Sequence, residues 1–199
     1  MMQINEEQRR LFQDNVLREY LKNVYFITGM PCSGKTTIAR ELGKKYHLPV
    51  YDMDAHFEAH LKLSDAMHQP AMNRNFEDDP GLLEHSLEEG KNWLRNNTRE
   101  QLDFVLLDLI RFSQDCCVIC DCQLLVEEAQ SLTDPSRIVF LIRNPLPIGE
   151  RKECSPNTTE VPESKPSQEI KDSDFFWIER DRNRSISDTL RIVEEHFGW

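Results

Sequence analysis

Short apolar runs alternate with stretches of helical periodicity along most of the chain. Apolar side chains between Leu11 and Leu21 recur at helical spacing, which predicts an amphipathic helix in the N-terminal segment 1–22. Strands are predicted where β-branched and aromatic residues cluster, at residues 23–28, 48–51, 116–120, 137–142 and 174–178. Further helices are predicted at residues 36–46, 99–112, 123–130 and 187–197. This order predicts one α/β domain over residues 1–199, with helices on both faces of a mostly parallel five-stranded sheet.

The loop after the first predicted strand carries the strongest chemical signal. Residues 29–36 read GMPCSGKT, which fits the Walker A pattern G-x-x-x-x-G-K-[ST] and lies between a strand and a helix start. Backbone N–H groups of such a P-loop surround phosphate oxygens, and the helix N-terminus adds partial positive charge. Lys35 is predicted to hold the β and γ phosphates of ATP, and Thr36 to hold Mg²⁺. The predicted nucleotide contacts are Gly29, Pro31, Cys32, Ser33, Gly34, Lys35, Thr36 and Thr37.

Composition and charge restrict the partners. The net charge is −11, whereas nucleic-acid-binding proteins present a basic face, so DNA and RNA are not expected as partners. The sequence has no apolar run of the roughly 18 residues that cross a bilayer, and its polar start lacks the core of a secretion signal. We therefore expect a cytoplasmic monomer or homodimer without a membrane partner. The absence of N-K-x-D and L-S-G-G-Q elements leaves kinases of small molecules and nucleotides.

A family resemblance begins in the same region. The stretch GMPCSGKTTIARELGKKYHLPVYDMDAHFE closely resembles the opening of shikimate-kinase-like proteins, whose P-loop helix leads to a strand ending in D-x-D. Asp52 and Asp54 occupy that motif. The resemblance implies that Asp52 lies near the magnesium shell and that Asp54 contacts the hydroxyl of the phosphoryl acceptor. Independently, carboxylates two positions apart on an extended strand end share a face, which we expect to open toward the phosphates.

Later positions extend this reading. The mainly helical insertion 55–98 is the predicted acceptor-binding region, and the resemblance places an acceptor-binding arginine at Arg99. Asp121 follows the third predicted strand, where P-loop proteins place an acidic residue that contacts Mg²⁺ through water. Residues 144–171, rich in proline, serine and charge, are predicted to form a lid. The resemblance places phosphate-binding arginines at this segment, at Arg143 or Arg151, of which Arg151 is the predicted contact to the transferring phosphate.

Two departures from the family redirect the substrate prediction. Residues 120–123 read CDCQ where shikimate kinases carry a glycine triplet, and the insertion after Asp54 is longer than usual. We therefore expect an ATP-dependent kinase whose small-molecule acceptor is not shikimate. A nucleoside monophosphate kinase is one alternative, with Arg74, Phe76, Trp93 and Arg95 at the second nucleotide. A nucleotide-binding interaction module without turnover is the other.

Cysteines and histidines are spaced in ways that invite a metal-site interpretation. Cys116, Cys117, Cys120 and Cys122 lie along a predicted strand whose alternate residues face opposite sides, so we expect packed thiols and no zinc site. His56 and His60 are four residues apart, but Glu58 is one position late for a zinc protease motif. His56 is expected to line the acceptor pocket or to face solvent.

Overall fold

The computed structural model describes residues 13–74, 87–143, 165–180 and 183–199. Five strands form one sheet: β1 Val24–Gly29, β2 Val50–Asp52, β3 Val118–Asp121, β4 Ile138–Arg143 and β5 Trp177–Arg180. The helices are α1 Asp14–Tyr20, α2 Lys35–Tyr46, α3 Met53–Leu61, α4 Leu87–Phe112, α5 Val126–Leu132, α6 Lys165–Lys171 and α7 Ile186–Phe197. Within the described ranges, none of these helices has the length and apolar character needed to span a membrane.

The sheet has the strand order β2-β3-β1-β4-β5, and every neighbouring pair is parallel. The predicted α/β class is therefore confirmed, with a sheet that is wholly rather than mostly parallel. Ile27 of β1 pairs with Asp121 of β3, and Asp121 pairs in turn with Asp52 of β2. Because these strands run in one direction, the loops that follow β1, β2 and β3 meet at the same edge of the sheet.

Alternate residues of the central strands point into two separate hydrophobic cores. Phe26 of β1 and Phe140 of β4 belong to the core that α4 and α5 cover. Ile27 and Val139, their chain neighbours, belong to the core that α2 and α7 cover. Both faces of the sheet are thus buried, which explains why β1 and β4 read as nearly continuous apolar runs. The result is the three-layer α/β/α arrangement.

The observed strands differ in their bounds from the sequence prediction. β3 begins at Val118, two residues later than predicted, because its pairing with β1 starts at Val24 opposite Val118. β5 begins at Trp177 rather than at residue 174, because Phe140 of β4 pairs with Trp177. Cys116 therefore lies outside the strand and is exposed, whereas Cys120 and Cys122 are buried. The cysteine cluster is divided between solvent and core.

Some predicted features fall outside the described residues. These are positions 1–12 of the N-terminal segment, residues 75–86 of the insertion with Phe76, and residues 144–164 of the lid with Arg151. The described parts of the same segments are α1 in the N-terminal segment, α3 with the start of α4 in the insertion, and α6 in the lid. The predicted roles that depend on the other residues stay predictions.

Candidate active site

The loop between β1 and α2 has the backbone of an anion cradle. Gly29 has φ 116°, Cys32 has φ 56° and Gly34 has φ 96°, all in the left-handed region. A Cβ atom on Gly29 would lie 2.2 Å from the carbonyl oxygen of Leu141 in β4, so the position accepts only glycine. Ser33 is buried, and its hydroxyl finds no hydrogen-bond partner among the described residues. A buried, unsatisfied hydroxyl in such a loop fits a ligand that brings its own acceptor oxygens.

Lys35 points back into this loop. Its Nζ donates to the carbonyl oxygen of Met30 at 2.9 Å and to that of Gly29 at 3.3 Å. Burial lowers the pKa of Lys35 below its ordinary value, and the carboxylates of Asp121 and Asp54 act in the opposite direction. The ammonium is thus partly desolvated and held by carbonyl dipoles. Phosphate oxygens would give it the full negative charge that these carbonyls lack.

Asp121, the last residue of β3, faces the same loop. Its side chain is buried, and burial raises the pKa of its carboxyl above the ordinary value. A hydrogen bond from Thr36 and the charge of Lys35 lower this pKa in part. A hydroxyl beside a carboxylate suits Mg²⁺, which takes one or two protein ligands and completes its shell with phosphate oxygens and water. Across the described ranges, no group of three His, Cys, Asp or Glu residues could hold a metal ion by itself.

Asp52, the first carboxylate of the D-x-D motif, is engaged on both oxygens. It is the N-cap of α3, where Oδ1 accepts from the backbone N–H of Ala55 at 3.2 Å. Its Oδ2 lies 3.3 Å from a guanidinium nitrogen of Arg40 on α2. Asp52 therefore fixes the start of α3 and ties it to α2.

Asp54, the second carboxylate, lies in the first turn of α3 and is exposed. The predicted extended D-x-D end with a shared face is wrong, because β2 stops at Asp52 and the helix begins at Met53. The two carboxylates nevertheless remain near the phosphate loop. Both lie close enough to Asp121 to raise its pKa, and Asp54 also acts on Lys35. Lys35, Thr36, Asp54 and Asp121 are therefore brought to one edge of the sheet.

A pocket opens beside the loop, toward β4 and β5. Its apolar lining comes from Ile38, Leu141, Ile178 and Ile186, and Arg180 and Arg184 also line it. The guanidinium of Arg180 packs closely on the loop, since a Cβ atom on Gly34 would lie 2.4 Å from it. The predicted contact residue Thr37 also faces this pocket, whereas Pro31 and Cys32 are exposed on the outer side of the turn. The pocket therefore places an apolar surface next to the phosphate loop.

Arg99 is engaged by carboxylates of α5. Its guanidinium pairs with Glu127 and lies 3.4 Å from Glu128. Arg95, a candidate for a second nucleotide site, pairs with the same Glu127 at 3.1 Å. These contacts connect α4 to α5. The predicted role of Arg99 in acceptor binding stays a prediction, and the described part of the acceptor region adds no observation that favours a second nucleotide.

The sequence interpretation missed a buried polar network behind α3. The indole of Trp93 and the carboxylate of Glu100 hold the segment after α3 from one face of α4, through the backbone of Ala71 and Met72. Gln101 and Asp108 continue that face and reach α3 itself. The signal was present, because Gln101 and Asp108 are polar residues seven positions apart on the same helical face as the apolar Phe104 and Val105.

A five-stranded parallel sheet with a phosphate loop between β1 and α2 defines the class of the protein, the P-loop NTPase fold. Within this class, the shikimate kinase family model matches residues 31–69, which extend from the loop beyond α3. The predicted resemblance to the shikimate-kinase-like group of P-loop kinases is confirmed. The match supports a small-molecule kinase, that is, a phosphotransferase. Comparison with curated proteins gave no match.

Proposed function

We propose that the protein transfers the γ-phosphoryl group of ATP to a hydroxyl or similar group of a small molecule other than shikimate. The observation that supports this proposal is the convergence of Lys35, Thr36, Asp54 and Asp121 on one loop at the carboxyl edge of the sheet. A structural glycine turn would not need a partly buried lysine with two carboxylates acting on it. A phosphoryl-transfer site needs each of these groups.

The phosphate end of the nucleotide is assigned to the loop between β1 and α2. Its backbone N–H groups and the Ser33 hydroxyl would bind phosphate oxygens, and the Lys35 ammonium would exchange its carbonyl partners for them. Thr36 and Asp121 are the residues that would hold Mg²⁺, which supplies charge neutralisation when it is bound. Asp52 stays available to the outer shell of the ion, but its contacts assign it first to orienting α3.

Asp54 is assigned to the acceptor. Its carboxylate is exposed and acts on both Lys35 and Asp121, so it stands beside the position of the reacting phosphate. From there it can orient the acceptor hydroxyl and take its proton as the new bond to phosphorus forms. A carboxylate in this position faces a solvent-accessible space, which a small molecule can enter.

The pocket beside β4 and β5 is assigned to the base of the nucleotide. Leu141 and Ile178 give it an apolar surface, and Arg180 lies between this surface and the loop. This apolar surface lies next to the phosphate loop, which is the arrangement that an adenine nucleotide requires. The substrate pocket is expected to differ from that of shikimate kinases, since Cys120 and Cys122 occupy the glycine-triplet region and are buried.

The test is a coupled assay of ADP formation with Mg-ATP and a panel of sugars, polyol acids, amino alcohols and nucleoside monophosphates. We expect ADP formation that depends on one class of acceptor. Asp54→Asn should lower this turnover by about 100-fold or more while the affinity for Mg-ADP changes less than about twofold, since the carboxylate acts on the acceptor. Glu58→Gln is the matched control, because Glu58 is exposed on the same helix.

The outcomes separate the alternatives. Turnover with nucleoside monophosphates alone would identify a nucleotide kinase. Binding of Mg-ATP without turnover on any acceptor would identify an interaction module. An equal loss of Mg-ADP affinity in Asp54→Asn would move this carboxylate from the acceptor to the metal shell.

A further inference from the structure

Helix α3 is held from behind by one buried side chain of α4. Gln101 is 3% exposed, and its Nε2 donates to the backbone carbonyl oxygen of Met53 at 2.9 Å. The same nitrogen lies 3.2 Å from Nδ1 of His60, two turns further along α3. One carboxamide therefore contacts both the first residue of α3 and a histidine near its end.

The hydrogen-bond partners define the protonation pattern of this network. A carbonyl oxygen only accepts, so the group beside Met53 is the amide nitrogen, and His60 accepts the second amide hydrogen at Nδ1. Nε2 of His60 then carries the proton and donates to Asp108 at 3.0 Å. The Tyr51 hydroxyl donates to the same carboxylate at 2.9 Å. The network is satisfied from end to end and joins β2, α3 and α4.

The contact with Met53 acts directly on the next residue. The carbonyl of Met53 and the N–H of Asp54 belong to one planar peptide unit, so a bond to that carbonyl fixes the plane from which Asp54 projects. On the other side, the start of the helix is fixed by the N-cap of Asp52. α3 has only nine residues, and besides Gln101 it is held by Met53 in the hydrophobic core and by the stacking of His60 on Phe104.

We propose that Gln101 is a positioning residue for phosphoryl transfer, which holds the Asp54 carboxylate toward the acceptor through Met53 and His60. The inference rests on the proposed function of Asp54, and it adds a determinant that lies outside the P-loop and the D-x-D motif. A buried carboxamide is otherwise a costly choice at this position, because an aliphatic residue would pack there without polar requirements.

A double-mutant cycle on turnover tests the proposal. Gln101→Met keeps the length of the side chain and removes the amide, so we expect turnover with the acceptor from the panel to fall about tenfold, with the affinity for Mg-ADP changed less than about twofold. In an Asp54→Asn background the same substitution should change turnover less than about twofold, because the carboxylate it positions is gone. A merely structural role would give the same loss in both backgrounds and would overturn the proposal.

Two further variants keep the test decisive. Gln114→Leu is the control, because Gln114 lies just after α4, is exposed and donates, among the described residues, only to the backbone carbonyl of Ile110, so turnover should not change. Asp108→Asn is the second network variant. Its side chain is one-third exposed and retains its shape, so we expect it to fold and to show a smaller loss of turnover that again disappears without Asp54. Full turnover in both Gln101→Met and Asp108→Asn would contradict the proposal.

Amide hydrogen exchange gives a readout that does not depend on the proposed reaction. Gln101→Met should speed exchange in the first turns of α3 by about tenfold or more, while exchange in α2 stays unchanged. Unchanged exchange in α3 would overturn the positioning role. Absence of any turnover in the wild-type protein, with faster exchange in the variant, would refute only the proposed function. The conclusion that Gln101 holds α3 would then still stand.

Discussion

A partly buried lysine and a buried aspartate lie at the centre of the site, and burial favours the neutral form of each. Burial lowers the pKa of Lys35 and raises the pKa of Asp121, and each group partly offsets the shift of the other. Neither charge is fully compensated in the protein alone. A bound phosphate and its metal ion would complete the compensation. The same two groups therefore lower the stability of the free protein and raise its affinity for the nucleotide.

Asp121→Asn should therefore stabilise the free protein and weaken nucleotide binding. A carboxyl with a raised folded-state pKa costs stability once ionised, so stability falls as the pH rises from about 3.8, the ordinary pKa, through the raised one. At neutral pH the amide removes this cost, and we expect the thermal midpoint to rise by about 2–4 °C for each kcal/mol gained. The Mg²⁺-dependent part of the affinity for ADP should fall about tenfold or more.

Thermal unfolding with and without Mg-ADP measures both effects. Asp115→Asn is the matched control, because Asp115 is exposed and precedes the opposite end of the same strand. A lower midpoint for Asp121→Asn, together with unchanged affinity for Mg-ADP, would show that this carboxylate stabilises the fold and does not serve the metal.

At the scale of elements, the close approach of β1 to β4 decides which residue can end β1. Gly29→Ala would place a Cβ atom 2.2 Å from a backbone oxygen at φ 116°, whereas at Gly90 in α4 no described atom lies within 4 Å of the added Cβ. We expect Gly29→Ala to lower the free energy of unfolding by about 3 kcal/mol or more. Gly90→Ala should raise it by about 0.5–1 kcal/mol, because alanine favours the helix.

Urea unfolding of the two variants provides the comparison, since both make the same chemical change. Similar effects of the two substitutions on the free energy of unfolding would contradict the described packing of the loop against Leu141.

Periodicity and motif together predicted the order of the five strands and of most helices, because both depend on local sequence. Helix α6 was not predicted, and α4 begins at Leu87, well before the predicted start at residue 99. The runs around Phe26 and Phe140 are apolar on both faces, so they were recognisable as buried strands. The bounds of β3 and β5 were wrong by two or three residues because strand pairing, which no local pattern contains, sets them. The conformation of Asp54 was missed although its signal is local, since Asp52 is the N-cap of α3 and its Oδ1 accepts from the backbone N–H of Ala55.

At the scale of the whole molecule, the hydrophobic cores on the two faces of the sheet support the sheet edge that carries the phosphate loop. Trp199 covers the far end of the core between the sheet, α2 and α7. Its ring centroid lies 4.6 Å from that of Tyr25 and 4.7 Å from that of Tyr46. The opposite end carries the phosphate loop, where the chain has positive φ angles and where the buried Ser33 hydroxyl has no partner within the described ranges. Rigid packing on both faces of the sheet thus supports a site built from loops at one edge.

The central claim is that this edge binds a magnesium-bound nucleotide through Lys35. Isothermal titration calorimetry of Mg-ADP into the wild-type protein, Lys35→Ala and Lys44→Ala tests it most directly. Lys44 is the matched control, because it is exposed on the same helix and pairs with Glu41. We predict saturable binding to the wild-type protein and to Lys44→Ala, and an affinity lower by about 100-fold or more in Lys35→Ala. Absence of binding to the wild-type protein, or equal binding to all three, would contradict the account.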